Sequence, residues 1–65
     1  MKRVKLERYL ASHGCFLVRE GARHSVYFNP RSQSSASVPR HREISDITAQ
    51  EICKQLDLPK IWKGK

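Results

Sequence analysis

Residues 14–29 read GCFLVREGARHSVYFN, and this stretch decides the fold. Cys15 to Glu20 is short and rich in apolar and β-forming side chains, so it predicts a strand. Gly21 and Ala22 predict a tight turn, and His24 to Asn29 predicts a second strand antiparallel to the first. The proline that follows ends this strand because it has no N–H to donate to a β-ladder. The stretch is therefore expected to form a β-hairpin.

The segment before the hairpin predicts a helix over residues 2–13. Four of its residues are spaced i, i+3, i+4 and i+7, which places them on one helix face: Leu6, Tyr9, Leu10 and His13. Gly14 is expected to end the helix, since glycine takes a positive φ without a Cβ penalty. A protonated His13 in the last turn would interact favourably with the helix dipole, which gives it a structural role.

The segment after the hairpin predicts one more strand and one more helix. A polar loop precedes a short strand from Ser35 to Val38, which Pro39 stops. Thr48 to Glu51 (TAQE) fits a capping box with Thr48 as the N-cap residue. Ile47 and Ile52 would then form a hydrophobic staple, and the helix would end before Pro59.

The predicted elements follow the order α-β-β-β-α. We expect an α+β fold in which a three-stranded antiparallel sheet carries both helices on one face, where they bury their apolar stripes. This topology is shared by double-stranded-RNA-binding domains and leaves the other sheet face open. Sixty-five residues suffice for a single domain, residues 1–65, in which 60–65 form a basic tail.

The composition favours an anionic partner. Thirteen Lys and Arg against six Asp and Glu give a net charge of +7 and a pI near 10.0. Such a charge favours nucleic acid or an acidic protein. The longest apolar run, Cys15 to Val18, is far too short for a membrane span. No signal peptide is apparent, and both cysteines lie in apolar stretches, so we expect a cytoplasmic protein with reduced thiols and no membrane association.

Several kinds of catalytic site are disfavoured by the spacing of the residues. The histidines and cysteines form no CxxC, HxxxH or HExxH motif, so neither a metal ion nor another cofactor is expected. No cysteine or serine lies in a recognisable nucleophile turn, no carboxylate pair stands out, and the chain has no glycine-rich phosphate loop.

His24 is the best remaining candidate for chemistry. RNA supplies its own nucleophile, the 2′-hydroxyl, so an RNA-cleaving site needs a group that moves a proton near neutral pH and cations around the phosphate. Histidine provides the first, and the candidate RNA-binding cations are Arg19, Arg23, Arg31, Arg40, His41 and Arg42. The residues alone leave two other interpretations open. The protein would be an RNA-binding module without catalysis, or its basic face would mainly bind an acidic protein.

The residues from Leu6 to about Pro59 resemble the HicA (YcfA-like) family of small toxins from bacterial and archaeal toxin–antitoxin systems. The resemblance rests on the first helix closing at Gly14, the strand ending LVREG, and a glycine turn that leads to His24 with Tyr27 three residues later. It continues through VPRHREI at residues 38–44 and through the helix that carries three apolar residues, Ile52, Cys53 and Leu56.

The resemblance implies a metal-independent mRNA endoribonuclease that blocks translation and is neutralised by a HicB-type antitoxin. It implies a monomer when the toxin is alone and a hetero-oligomer with the antitoxin. The catalytic role falls on His24, and the segment Arg40 to Arg42 takes a structural or RNA-contacting role. Many members read Gly-Ser-His, whereas this chain reads Gly21-Ala22-Arg23-His24, so the turn before the histidine differs in shape.

Overall fold

The computed structural model describes residues 1–59, which form two helices and three strands. Their order is α1 (Arg3–Ser12), β1 (Phe16–Glu20), β2 (His24–Asn29), β3 (Ser34–Pro39) and α2 (Asp46–Gln55). The strands form one antiparallel sheet in the order β1-β2-β3. This confirms the predicted α+β layout. The predicted basic tail, residues 60–65, lies outside the described residues.

The strand bounds agree closely with the prediction. β2 has the predicted bounds, and β1 begins one residue later than predicted, at Phe16. β3 is longer than predicted at both ends, since Ser34 pairs with Asn29 and Pro39 pairs with His24. Pro39 is therefore the last residue of the strand rather than the residue that stops it. A proline is tolerated there because β3 is an edge strand.

Both helices cover the same face of the sheet. Alternate residues of β2 point toward them: Ser25 and Asn29 are buried, and Tyr27 packs against the core. Ala36 and Val38 of β3 are also buried there. One hydrophobic cluster combines these residues with apolar side chains of α1 and α2, chiefly Leu6, Leu10, Ala49, Ile52, Cys53 and Leu56. The opposite sheet face carries no helix within the described residues.

The first helix ends as its sequence predicts. Gly14 has φ +86°, and its N–H donates to the Ala11 carbonyl at 3.0 Å. The N–H of Cys15 donates to the Leu10 carbonyl at 3.0 Å. These two bonds form a Schellman motif, which satisfies carbonyls that the helix end would otherwise leave unpaired.

The start of the second helix differs from the prediction. Ser45, not Thr48, is the N-cap residue: its Oγ accepts a hydrogen bond from the Thr48 N–H at 3.1 Å. The predicted staple is also wrong, because Ile47 is 76% exposed. With the helix beginning at Asp46, Ile44 and Ala49 occupy the two staple positions, and both are buried in the core. Burial of Ile44 therefore sets the helix start.

The far end of the sheet is tied to the end of α2. The buried Asn29 donates through Nδ2 to the Leu56 carbonyl at 2.7 Å and accepts through Oδ1 from the Arg31 N–H at 3.0 Å. Asp57 has φ +59°, and a second Schellman motif follows, with Asp57 N–H to the Lys54 carbonyl at 3.1 Å. Asn29 thus links the sheet to the helix terminus.

The two cysteines lie in the core. Cys15 and Cys53 are both buried and are not joined by a disulfide. Burial raises the pKa of the Cys15 thiol. Among residues 1–59, no helix has the length and apolarity that crossing a membrane requires.

Candidate functional site

His24 is exposed at the first position of β2, on the sheet face opposite the helices. Its carbonyl accepts a hydrogen bond from the Gly21 N–H at 2.8 Å, which closes the β1–β2 turn, and Pro39 lies opposite it on β3. Its imidazole forms no hydrogen bond or ion pair with any residue among 1–59. Both ring nitrogens are therefore available to a ligand.

We call the sheet face that carries His24 the open face. Alternation along the paired strands assigns eight residues to it: Phe16, Arg19, His24, Val26, Phe28, Ser35, Ser37 and Pro39. A β-bulge interrupts the register of β1 between Leu17 and Arg19. Because Val18 is the extra residue, Arg19 pairs with Val26 and lies one diagonal step from His24.

Two aromatic rings occupy the end of the open face away from His24. The centroids of Phe16 and Phe28 are 5.8 Å apart in an edge-to-face arrangement. Phe16 is 49% exposed. Phe28 lies four residue steps along β2 from His24, which is about 13 Å at 3.3 Å per residue. The face therefore combines a titratable group and a cation with accessible aromatic surface.

Arg40 supports the turn that presents His24. Its backbone N–H donates to the Arg23 carbonyl at 3.1 Å. Its guanidinium donates through Nη1 to the Gly21 carbonyl at 3.1 Å and pairs with Glu20 Oε2 at 3.1 Å. Arg23 is exposed in this turn. The sequence did not reveal the Glu20–Arg40 pair, because it depends on the bulge that turns Glu20 toward the helix side.

The turn does not depend on a glycine conformation. Among the described glycines only Gly14 has a positive φ. A Cβ built on Gly21 would meet the His24 carbonyl oxygen at 3.5 Å, an ordinary van der Waals contact. The predicted tight turn at Gly21 is present, but neither backbone conformation nor crowding requires glycine there.

A polar network lies on the helix side of the same hairpin. Burial raises the pKa of the Tyr27 hydroxyl, the Glu7 carboxylate raises it further by its charge and a hydrogen bond, and Arg3 opposes these effects. Arg3 Nε lies 3.6 Å from Glu7 Oε2. Tyr27 is thus a structural neighbour of α1 and does not share the open face with His24.

The structure gathers only part of the predicted cation set. Arg19, Arg23 and Arg40 lie at the His24 turn, and His41 and Arg42 follow as exposed residues. Arg31 lies beyond the other end of β2, about 17 Å away along the strand, in a cavity shared with Asp57 and Pro59. Within residues 1–59, no three His, Cys, Asp or Glu side chains form a group that could hold a metal ion.

The sequence as a whole is similar to one known family. A family model described as "HicA toxin of bacterial toxin-antitoxin" matches residues 4–58, which is most of the 65-residue chain. No curated protein and no solved structure gives a significant match.

Proposed function

The chain belongs to the HicA family of bacterial toxin–antitoxin toxins, and from this premise we propose that it blocks translation by cleaving mRNA through His24. One observation supports the cleavage step. The imidazole of His24 is exposed, forms no hydrogen bond within the described chain, and lies at the same turn as Arg19, Arg23 and Arg40.

The proposed chemistry uses the 2′-hydroxyl of the RNA as nucleophile. Neutral His24 accepts the proton of this hydroxyl while its oxygen bonds to the adjacent phosphorus. The 5′-oxygen of the next nucleotide leaves and takes a proton from water, so a cyclic phosphate and a free 5′-hydroxyl result. A single proton-moving side chain contributes about 10²–10⁴-fold to the rate. No step of this mechanism uses a metal ion.

The cations near His24 would stabilise the transition state. Negative charge develops on the nonbridging oxygens of the phosphate, and guanidinium groups bind such oxygens through planar paired donors. Arg19 and Arg23 form no ion pair among residues 1–59, so their donors are available. We assign these two residues to the reacting phosphate. Arg40 is assigned to positioning the turn, because its guanidinium already binds Glu20 and Gly21.

The open face is suited to single-stranded RNA. Exposed aromatic rings beside cations bind bases by stacking, largely without regard to sequence. Phe16 and Phe28 lie on the His24 face, and Phe28 is about 13 Å from His24 along β2. One RNA strand can therefore stack a base on the rings and place a phosphate at His24. We therefore propose an unpaired stretch of mRNA as the substrate.

Replacing His24 with alanine tests the assignment. His24→Ala should abolish growth arrest and RNA decay in cells while leaving the circular dichroism spectrum unchanged, because the side chain is exposed. His13→Ala is the control and should retain cleavage, because His13 caps the end of α1 and is not among the candidate RNA-binding residues. A folded His24→Ala protein that stays fully toxic would show that the catalytic assignment is wrong.

A second candidate function is an RNA-binding module without catalysis. The same geometry supports it, since no carboxylate or second histidine of residues 1–59 bonds to His24 and orients it. Incubation of purified protein with RNA in EDTA separates the two functions. Cleavage that depends on His24 supports the endoribonuclease. Binding without such cleavage supports the module.

Family membership also indicates an antitoxin partner. We propose that this partner is of HicB type, that it joins the monomeric toxin in a cytoplasmic hetero-oligomer, and that it covers the open face. An acidic surface would be attracted by the net charge of +7 and would exclude RNA by occlusion. A gel shift with RNA and saturating antitoxin should show competition. Simultaneous binding of both would contradict occlusion.

A further inference from the structure

A basic cleft lies where the start of α1 meets the segment after β3. It has a volume of about 370 Å³ and is lined by Lys2, Arg3, Val4, Arg40 and Arg42. Four of these five residues are cationic, and among residues 1–59 no acidic residue lines the cleft. Of the four cations, Lys2 and Arg3 were not among the residues that the sequence pointed to.

Backbone pairing between distant parts of the chain builds the cleft. The Arg3 N–H donates to the Arg42 carbonyl at 2.9 Å, and the Ile44 N–H donates to the Met1 carbonyl at 2.7 Å. Lys2 and Glu43 form an isolated antiparallel bridge between these bonds. These contacts hold Lys2 and Arg3 beside Arg42.

The carboxylates near the cleft neutralise its cations only in part. Glu43 lies 3.7 Å from Lys2 Nζ, and Glu7 lies 3.6 Å from Arg3 Nε. Glu20 lies 3.1 Å from Arg40, whereas Arg42 has no ion-pair partner within residues 1–59. Three carboxylates thus face four cations, and all three lie outside the lining.

The start of α1 adds to the positive potential. Its N-cap residue, Lys2, makes no side-chain cap hydrogen bond, and its first turn contains no acidic residue. Most helices place acidic or capping groups at this end, because the helix dipole is positive there. Cations at this end are unfavourable in the protein alone, and a bound anion relieves the repulsion.

We propose that the basic cleft binds a phosphate group of the RNA backbone next to the scissile phosphate. The inference rests on the proposed RNA substrate. Arg40 connects the two places, since it lines the cleft and its guanidinium holds the carbonyl of Gly21 in the His24 turn. Arg42 supplies planar donors to the phosphate oxygens, and Lys2 supplies a second charge. Because such contacts carry no base information, the cleft positions the RNA without specifying its sequence.

Salt-dependent binding tests the proposal. The probe is a single-stranded 2′-O-methyl RNA, which cannot be cleaved through a 2′-hydroxyl, and binding is followed by fluorescence anisotropy between 50 mM and 300 mM salt. The test variant is Lys2→Gln/Arg42→Gln. The matched control is Arg8→Gln/Lys54→Gln, which removes two exposed cations outside the cleft lining.

Loss of one phosphate contact should make the negative slope of log K against log salt less steep by about 0.7. At 0.1 M salt this corresponds to RNA binding that is about fivefold weaker. We expect this change in the test variant and less than half of it in the control. Equal slopes in the two variants would overturn the proposal, as would a test variant that loses affinity for the antitoxin alone. Cleavage of unmodified RNA is measured separately. If the wild-type protein cleaves RNA but the two variants have equal slopes, only the cleft proposal is rejected. If binding depends on the cleft but no cleavage occurs, only the endoribonuclease proposal is rejected.

Discussion

Replacing Arg40 with lysine separates a positioning role from simple attraction of RNA. Lysine keeps the charge, but its side chain is one bond shorter and has no planar guanidinium. Its ammonium therefore does not reach the position from which Arg40 Nη1 binds both Glu20 Oε2 and the Gly21 carbonyl, each at 3.1 Å. Both side chains of the ion pair are partly exposed, so the pair contributes about 0.2–1 kcal/mol. With the bond to Gly21 added, Arg40→Lys should cost about 1 kcal/mol, which is a fall in Tm of about 4–8 °C for a domain of this size.

The functional effect of this substitution should be larger than its effect on stability. A turn that shifts His24 by about 1 Å lowers the cleavage rate by up to about 100-fold, whereas RNA affinity should stay nearly unchanged because the charge remains. Thermal unfolding, anisotropy and single-turnover cleavage measure the three quantities. Arg19→Lys is the matched control, since Arg19 makes no ion pair among residues 1–59, and its Tm should not change.

A double-mutant cycle between Arg40→Gln and Glu20→Gln isolates the ion pair, because neither glutamine carries a charge. The coupling energy between Glu20 and Arg40 should be a few tenths of a kcal/mol and should fall as salt is added. If Arg40→Lys unfolds at the wild-type Tm and cleaves at the wild-type rate, strand pairing alone holds the turn and the positioning role is refuted.

The other predictions concern the elements that hold the site in place. Asn29→Ala should lower the free energy of unfolding by about 2–3 kcal/mol in urea titrations, because it removes two hydrogen bonds of a buried side chain and leaves a small cavity. Ser32→Ala removes a 3.3 Å bond to the same Leu56 carbonyl and a bond to the Ser34 hydroxyl, but Ser32 is only half-buried and water can replace these bonds. It should cost under about 1 kcal/mol, and similar losses in both variants would contradict this account. Gly14→Ala should cost about 1 kcal/mol through its φ of +86° alone, since an added Cβ meets no atom of residues 1–59 within 4 Å. Gly21→Ala should be neutral or stabilising by up to about 1 kcal/mol, and a large loss at Gly21 in the same thermal scans would show that the turn needs glycine.

The hairpin and the first helix were predictable because local signals there agree with the tertiary structure. The apolar positions Leu6 and Leu10 have helical spacing, and both are fully buried. Gly14 ends the helix through the conformation that glycine favours. The bounds of β2 follow from a turn on one side and Pro30 on the other. In each case one or two neighbouring residues decide the outcome.

The start of the second helix could not be predicted from local signals alone. The local signal favours Thr48, because Glu51 three positions later completes a capping box, whereas Ser45 is followed at that spacing by Thr48. Serine is nevertheless an acceptable N-cap residue. The choice depends on which isoleucine reaches the core. Ile44 is 3% exposed and Ile47 is 76% exposed, and the sequence does not show this difference. Tertiary packing therefore decided between two locally acceptable helices.

The candidate site was predictable in its residue types but not in its geometry. Charge and chemistry pointed to His24 and the nearby arginines, and their roles stay a prediction. The structure brings Arg19, Arg23 and Arg40 to the same end of the hairpin as His24. The spacing gave no sign that Arg31 lies at the opposite end of the sheet. It also did not bring Lys2 next to Arg42, because a backbone pairing between the chain's first residues and the segment after β3 creates that contact.

The bulge at Val18 connects the fold to the candidate chemistry. In a regular ladder continued from the Leu17–Tyr27 pair, Arg19 would face the helices and Glu20 would lie opposite His24 on the open face. A guanidinium would then be directed toward the core and would lose hydration, while a carboxylate beside His24 would repel the RNA phosphates. The extra residue exchanges the sheet faces on which these two side chains lie. Arg19 joins His24, and Glu20 turns to the helix side, where it anchors Arg40 and, through it, the turn. One inserted residue thus supplies a cation to the proposed reacting phosphate and a support for the proposed base.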